Sequence, residues 1–149
     1  MNCDYCRQQT DYGREPYAAN IELVSIKNRN FRTAIWTGCN LQMTVMCIAQ
    51  NEDIGLEIHE ETDQFIRVEQ GIACVKMGNC KNRTDFRQTL YKGDAVFIPA
   101  GTWHNIINIG NQSLKVSTIY APPNHDKGTV HSTKKEAENE EYRRTSKFC

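Results

Sequence analysis

A carboxylate, two imidazoles and an amide stand in this chain at spacings that let them share one divalent cation. Glu57-Ile-His59 places an acid and an imidazole two residues apart, and in an extended strand side chains i and i+2 point the same way. Glu60-Glu-Thr-Asp63 is long enough to turn the chain antiparallel, so Gln64 returns on a neighbouring strand close to that pair. Further on, Gly93-Asp-Ala-Val-Phe-Ile-Pro99-Ala-Gly101-Thr-Trp-His104-Asn-Ile-Ile-Asn108 carries the second imidazole. Pro99 and Gly101 shape the tight turn before it, because Pro fixes φ and Gly reaches conformations denied to other residues. Each member alone has a plainer reading, His104 as a hydrogen-bonded structural histidine and Glu57 as a surface acid. Converging on one barrel mouth, Glu57, His59, Gln64 and His104 would form a centre with positions open for water or substrate. One carboxylate partly neutralises a dication and leaves a Lewis acid. Two imidazoles with one carboxylate suit iron(II), manganese, zinc, cobalt or nickel, and the set lacks the sulfur that selects copper(I). Gln64 is the weakest of the four.

These side chains need strands to hold them. From Phe31 the sequence becomes a series of short β-rich runs: Phe31–Thr37, Leu41–Ala49, Ile54–His59, Gln64–Glu69, Ile72–Met77, Thr89–Tyr91, Val96–Ile98, Trp103–Ile109 and Leu114–Tyr120. Gly, Asn, Asp and Pro punctuate them, the pattern of an antiparallel sandwich or barrel. No helical period interrupts it, so residues 31 to 120 are predicted to contain no helix. Ala121-Pro-Pro123 ends the last strand, since Pro cannot donate to a ladder. The expected organisation is an N-terminal arm with a possible edge strand over 1–30, a barrel over 31–123, and a polar loop with a short helix over 124–149. Thr133-x-x-Glu136 is a capping box for that helix, Lys134 to about Arg144. Its apolar content is low, and a solvated, fraying helix is expected. His125 and His131 fall in the preceding loop and read as exposed.

Composition narrows the function. The chain has 149 residues, enough for one domain with a proper core. Its 18 basic and 18 acidic residues balance, which argues against nucleic acid as a partner. A mean hydropathy of −0.64 and the lack of any apolar run near the ~18 residues of a membrane helix argue against a membrane. Met-Asn-Cys-Asp-Tyr-Cys at the start has no signal-peptide character, so a cytoplasmic location is expected. Seven scattered cysteines read as reduced thiols, with Cys3-x-x-Cys6 an incidental pair.

The two site segments resemble the two motifs of the cupin family. The second, G-x5-P-x-G-x2-H-x3-N over Gly93–Asn108, matches in full. The first, H-x-H-x3or4-E-x6-G in the family, keeps its spacing up to Gly71 but has Glu57 in place of the first His and Gln64 in place of the Glu. The resemblance implies an all-β fold, a single jelly-roll barrel (a double-stranded β-helix), and metal ligation by Glu57, His59, Gln64 and His104. It extends over about Ile21 to Ala137, and Gly55–Gly71, Ile119–Pro123 and Gly128–His131 look like the small bacterial single cupins called mannose-6-phosphate-isomerase-like. Type I phosphomannose isomerases use the same ligand inventory with Gln and Glu exchanged. The implied activity is metal-dependent, isomerase-type chemistry on a small sugar-like or keto-enol substrate, with Glu57 or the rim acids Glu60 and Glu61 as base. An iron(II) dioxygenase and a non-catalytic sugar- or metal-binding barrel are the alternatives. No cluster of Lys and Arg marks an anion pocket, and Arg67 is expected to pair with Glu69 or a neighbouring subunit. The resemblance also implies a homodimer, formed through the outer face carrying Phe65, Arg67 and Glu69 and through the arm, where Tyr17 and Ile21–Val24 are available to pack.

Overall fold

The computed structural model describes residues 11–146, with side chains to Arg143. Cys3, Cys6 and Cys149 lie outside the described residues. Helix α1 (Ile21–Lys27) precedes strands β1 (Arg32–Thr37), β2 (Gln42–Ile48), β3 (Asp63–Gln70), β4 (Ala73–Gly78), β5 (Phe86–Leu90), β6 (Ala95–Ile98), β7 (Trp103–Asn108) and β8 (Leu114–Ala121). A two-residue strand β9 (Val130–His131) and helix α2 (Lys134–Ser146) follow. The strands form two antiparallel sheets, β6-β3-β8-β2-β1-β9 and β5-β4-β7, which face each other as a jelly roll. No helix falls between residues 31 and 120.

The inner face of the large sheet changes character along its strands, and that change positions the site. Met46, Ile48, Ile66, Val68, Leu114 and Val116 meet Ala73, Val75, Met77 and Ile106 of the small sheet in one apolar cluster. Burying an aliphatic side chain of this size contributes about 1.5–3 kcal/mol. Two and four residues along β2 from Met46, on the same face, come Thr44 and Gln42. Their partners across the ladder are Thr118 and Tyr120, and Tyr120 in turn pairs with Gln64. One end of the barrel is therefore oily and the other is polar and buried.

Three expectations need correction. Ile54–His59 is not a strand of either sheet: Gly55 takes a φ of 91°, which breaks the ladder, and only the bridges Asp53↔Ile107 and Glu57↔His104 tie the segment to β7. The arm holds a helix over Ile21–Lys27 where an edge strand was expected. Asn20 caps it by accepting from Leu23 N–H, and Glu22 and Lys27 sit at its favourable ends. Ile21 and Val24 pack on Ile35, Met43, Val45 and Ile119 of the outer sheet face, so this part of the arm is docked on its own chain. Asp11 extends the docking, accepting from Thr37 Oγ1 and Gly128 N.

The C-terminal helix is the third correction. Its capping box forms as predicted, with Glu136 N donating to Thr133 Oγ1 at 3.2 Å. The helix does not hang in solvent, however. Ala137 packs against the main core, Lys134 pairs with Asp53, and Glu140 accepts from His131. Few apolar residues suffice, because polar contacts to β9 and to the 53–59 segment do the anchoring.

Asn108 shows how the last residue of the second motif serves the fold. Its Nδ2 donates to the carbonyls of Ile48, Ala49 and Gln112 at 3.0, 3.2 and 2.8 Å, and its Oδ1 accepts from Gly110 N. Asn108→Ala strands those buried carbonyls and is expected to cost about 1–3 kcal/mol, read from urea unfolding of metal-free protein. Asn108→Asp, which turns a donor into a fourth acceptor, should be at least as costly. Lys134→Ala should loosen α2 alone: amide exchange over 135–143 is expected to rise roughly two- to fivefold with the global unfolding midpoint unmoved. Unchanged exchange would assign the anchoring to Ala137 and Glu140.

Candidate metal centre

Glu57 and His104 are brought together by backbone before side chains enter. Glu57 N donates to His104 O at 3.0 Å and His104 N to Glu57 O at 2.9 Å. This is a hydrogen-bonded antiparallel pair, whose two side chains leave on the same face. His59, two residues on, is held by Gly101 N–H, which donates to its carbonyl at 2.8 Å. Gly101 has a φ of 77°, open to glycine and strained for other residues, so the turn of one motif fixes the histidine of the other. Ala100 N donates to Asp63 Oδ1 at 2.9 Å and closes the same corner.

The result is a compact donor set. Glu57 Oε1 lies 3.3 Å from His59 Nε2 and 3.3 Å from His104 Nε2, and one ligand atom from each residue lies within 4.8 Å of the others. All three of these atoms are buried and lack a hydrogen-bond partner of acceptable geometry. Native proteins rarely leave buried polar atoms orphaned, and three aimed at one point describe a place for a cation. His104 Nδ1 sits 2.9 Å from Thr102 O. A carbonyl accepts only, so Nδ1 carries the proton and Nε2 keeps the lone pair a metal requires. Burial alone would raise the Glu57 carboxyl, but hydrogen bonds and positive charge from the two imidazoles, when these are protonated, outweigh burial and hold it well below the usual carboxylate range. The residues fit a divalent metal.

Gln64 belongs to the same inner face, opposite Tyr120 in the ladder. Its Oε1 is buried and unpartnered. Of the two rim acids, both exposed, Glu60 lines the cavity and Glu61 is not among its lining residues. Arg67 meets Glu69 at 3.5 Å as expected, with Ser117 Oγ donating to the same carboxylate.

Above the donors lies a cavity of about 280 Å³, whose described lining includes Arg32, His125, His131 and Ala137. Tyr120 is fully buried, its ring edge-on to His59 at 5.6 Å, and burial pushes its hydroxyl up to about 12. His125 was expected to be exposed but packs on Tyr120 at 5.2 Å, and burial, reinforced by the Arg32 charge, pushes it down to about 2. Gln42 holds it there, accepting from Asn124 N and His125 N and donating to His125 O. His131 is also buried. Arg32, His125 and His131 escaped the sequence reading because both faces of β1 are covered and the loop folds back. Gln42, the buried first residue of β2, is the side chain that staples the loop.

Comparison with known proteins places this geometry in a family. The crystal structure of BH2720 from Bacillus halodurans superposes with a TM-score of 0.86 at 51% identity, covering 87% of this chain and 98% of that one. YrkC of Bacillus subtilis (strain 168) is 53% identical over 127 residues, 85% of this chain and 68% of its own length. L612 of Acanthamoeba polyphaga mimivirus is 41% identical over 115 residues, 76% of this chain and 70% of its own. Residues 44–120, from β2 to the end of β8, match the cupin domain; with all four motif ligands inside that span, the chain belongs to the cupin family.

Proposed function

We propose that the protein binds one divalent metal through Glu57, His59 and His104, with Gln64 as a weak fourth ligand, and acts on a small oxygenated substrate by isomerase-type proton transfer. The observation that carries this reading is the convergence of three buried, unpartnered ligand atoms. The bound cation would supply Lewis acidity, lowering the pKa of a substrate hydroxyl and stabilising negative charge on an adjacent oxygen. The chain's own groups do the rest. Tyr120, protonated throughout the working range, offers a fixed hydroxyl beside His59. His125, neutral, lends a hydrogen bond without adding charge. Glu60, one of the rim acids expected as base, stands at the cavity as the proton carrier. Helix α2 and the 124–131 segment limit access of water. The isomerase-like subgroup remains a matter of ligand inventory, shared with type I phosphomannose isomerases once Glu and Gln are exchanged.

A second reading rests on the composition of the tight cluster. Two imidazoles and one carboxylate with open positions also suit non-haem iron(II) oxygenases, and elemental analysis separates the two. Zinc or manganese favours isomerisation, iron favours oxygen chemistry, and a centre that takes up no metal favours a binding module. His59→Ala or His104→Ala is expected to abolish metal retention through gel filtration. Gln64→Ala should keep most of it, because a neutral amide contributes least charge. Metal at about 100 times its dissociation constant should stabilise the wild type by about 2.7 kcal/mol and His104→Ala not at all.

The remaining calls concern setting and assembly. No helix among the described residues is long and apolar enough to cross a membrane. Cys39, Cys47, Cys74 and Cys80 are free thiols, which supports a reducing, cytoplasmic setting. A homodimer is supported by the part of the outer sheet that α1 leaves open. Phe97 on β6 is 74% exposed, stacks edge-on with Phe65 at 5.1 Å, and borders an apolar groove with Pro99 and Ile119. Phe97→Glu should convert a dimer into a monomer by light scattering at micromolar concentration while leaving metal content unchanged. A wild-type monomer under those conditions would remove the assembly and spare the metal centre.

A further inference from the structure

The buried arginine of the cavity has no anion of its own. Arg32 is 5% exposed on β1 and lies opposite Met46 and His131 in the ladders. Its Nη1 donates to His131 Nδ1 at 3.2 Å, its Nη2 reaches Met46 Sδ at 4.0 Å, the group also bonds the Tyr120 hydroxyl and lies 5.4 Å from the Phe31 ring centroid, and its Nε is buried without a partner. None of the ion pairs formed among the described residues includes it. Removing a guanidinium from water costs several kcal/mol unless a counter-charge meets it, so a lone buried arginine facing a cavity marks the place of an anion. The group is also held in position. His131 accepts from Arg32 through Nδ1, and its Nε2–H donates to Glu140 of α2. The partnerless Nε–H and the Nη2–H, held only weakly by a thioether, form the edge that can grip a carboxylate through two parallel hydrogen bonds.

Charge points the same way. The metal and Glu57 together carry a net single positive charge, and Arg32 adds a second in the same 280 Å³ space. Tyr120 joins the two poles: its ring touches His59, and the Arg32 charge bears on its hydroxyl. The rim has the opposite sign, with Glu138, Glu140 and Glu141 of α2 lining the mouth. Such a rim disfavours a dianion such as a phosphate ester and tolerates a single negative charge.

We propose that Arg32 anchors the substrate by its carboxylate, and that the substrate is a small hydroxy or oxo acid with one carboxyl group, its other oxygens facing Glu57, His59 and His104. This rests on the metal reading above and specifies its substrate class. The test uses the full chain loaded with zinc or manganese and isothermal titration of matched probes: glycolate, glycerate and gluconate, the amide of each, and inorganic phosphate. At least one carboxylate should bind more tightly than its amide. Arg32→Gln should lower that carboxylate's affinity about ten- to hundredfold, with amide affinity and metal stoichiometry unchanged, and Arg32→Lys should recover only part. Equal binding of acid and amide to the wild type overturns the proposal without any variant that must fold. So does phosphate binding more tightly than every carboxylate. Repeating the titration after chelation separates the two readings: carboxylate binding that depends on Arg32 and is indifferent to metal would sink the metal reading and uphold the anchor. A metal-loaded protein with no preference for acids would do the reverse.

Discussion

The pair of backbone hydrogen bonds between Glu57 and His104 is the contact on which the site depends. The carboxylate comes from a segment that is not part of a regular strand, kinked at Gly55 and joined to β7 by isolated bridges. Without the two bonds at 3.0 and 2.9 Å, nothing would bring an acid and an imidazole 47 residues apart in sequence onto one face. The bond from Gly101 N–H to His59 O repeats the device. Ligand geometry is thus set by main-chain hydrogen bonds, which are shorter-ranged and better directed than side-chain packing. This is a sound way to hold like-charged or easily protonated groups close together.

A donor set of this kind also needs a shell that is polar and dry at once. Alternation along β2, β3 and β8 supplies it, since the inner face runs from Met46, Val68 and Val116 to Thr44, Gln64, Thr118 and Tyr120 without leaving the sheet. The apolar half stabilises the fold and pays for the polar half, whose buried groups are short of partners. The lid over this end comes from the C-terminal segment, where Gln42 staples the loop at His125 and Asp53 and His131 receive α2. Helix and metal segment meet at Asp53, which also accepts from Asn105 of β7 at 2.8 Å. A change in the helix is therefore transmitted to the strand that carries His104.

Most of the fold was legible because period-2 alternation and turn residues are strong local signals. The strands from β1 to β8 lie within a few residues of the predicted runs, and β8 stops at Ala121, where Pro122 lacks a donor. The metal ligands were legible for a related reason, since i, i+2 spacing on an extended chain survives even where the segment is not a true strand. The failures are long-range. Asn20 and Glu22 were readable as a helix start in retrospect, but Ile21–Lys27 is only seven residues long, too short to stand out from its β-branched content. The stapling of His125 and the burial of Arg32 depend on contacts 80 to 100 residues away in sequence, Gln42 with His125 and Arg32 with His131. An Arg in a strand covered on both faces has no local pattern to show which face it takes.

The two motifs divide their labour, and that explains how the chemistry can vary while the fold does not. In the second motif only His104 presents a ligand atom. Gly101 and Pro99 make the turn, Gly93 N bonds Val68 O at 2.9 Å, and Asn108 ties three carbonyls. Changing any of these strains or unpairs the backbone. In the first motif Glu57 and His59 line the cavity and Gln64 is buried beside Tyr120, and their own backbone bonds do not depend on side-chain identity. Glu for His at 57 and Gln for Glu at 64 therefore leave the bridge to β7 and the ladder to β8 intact. Moving the single carboxylate from position 64 to position 57 conserves the charge of the set while transferring it from a regular strand of the large sheet to the bridged segment beside β7. The negative ligand then lies 3.3 Å from both imidazoles, and a neutral amide faces Tyr120. The donor set keeps its charge, with an uncharged amide beside Tyr120 on the β3 side and Arg32 on the opposite, β1 side.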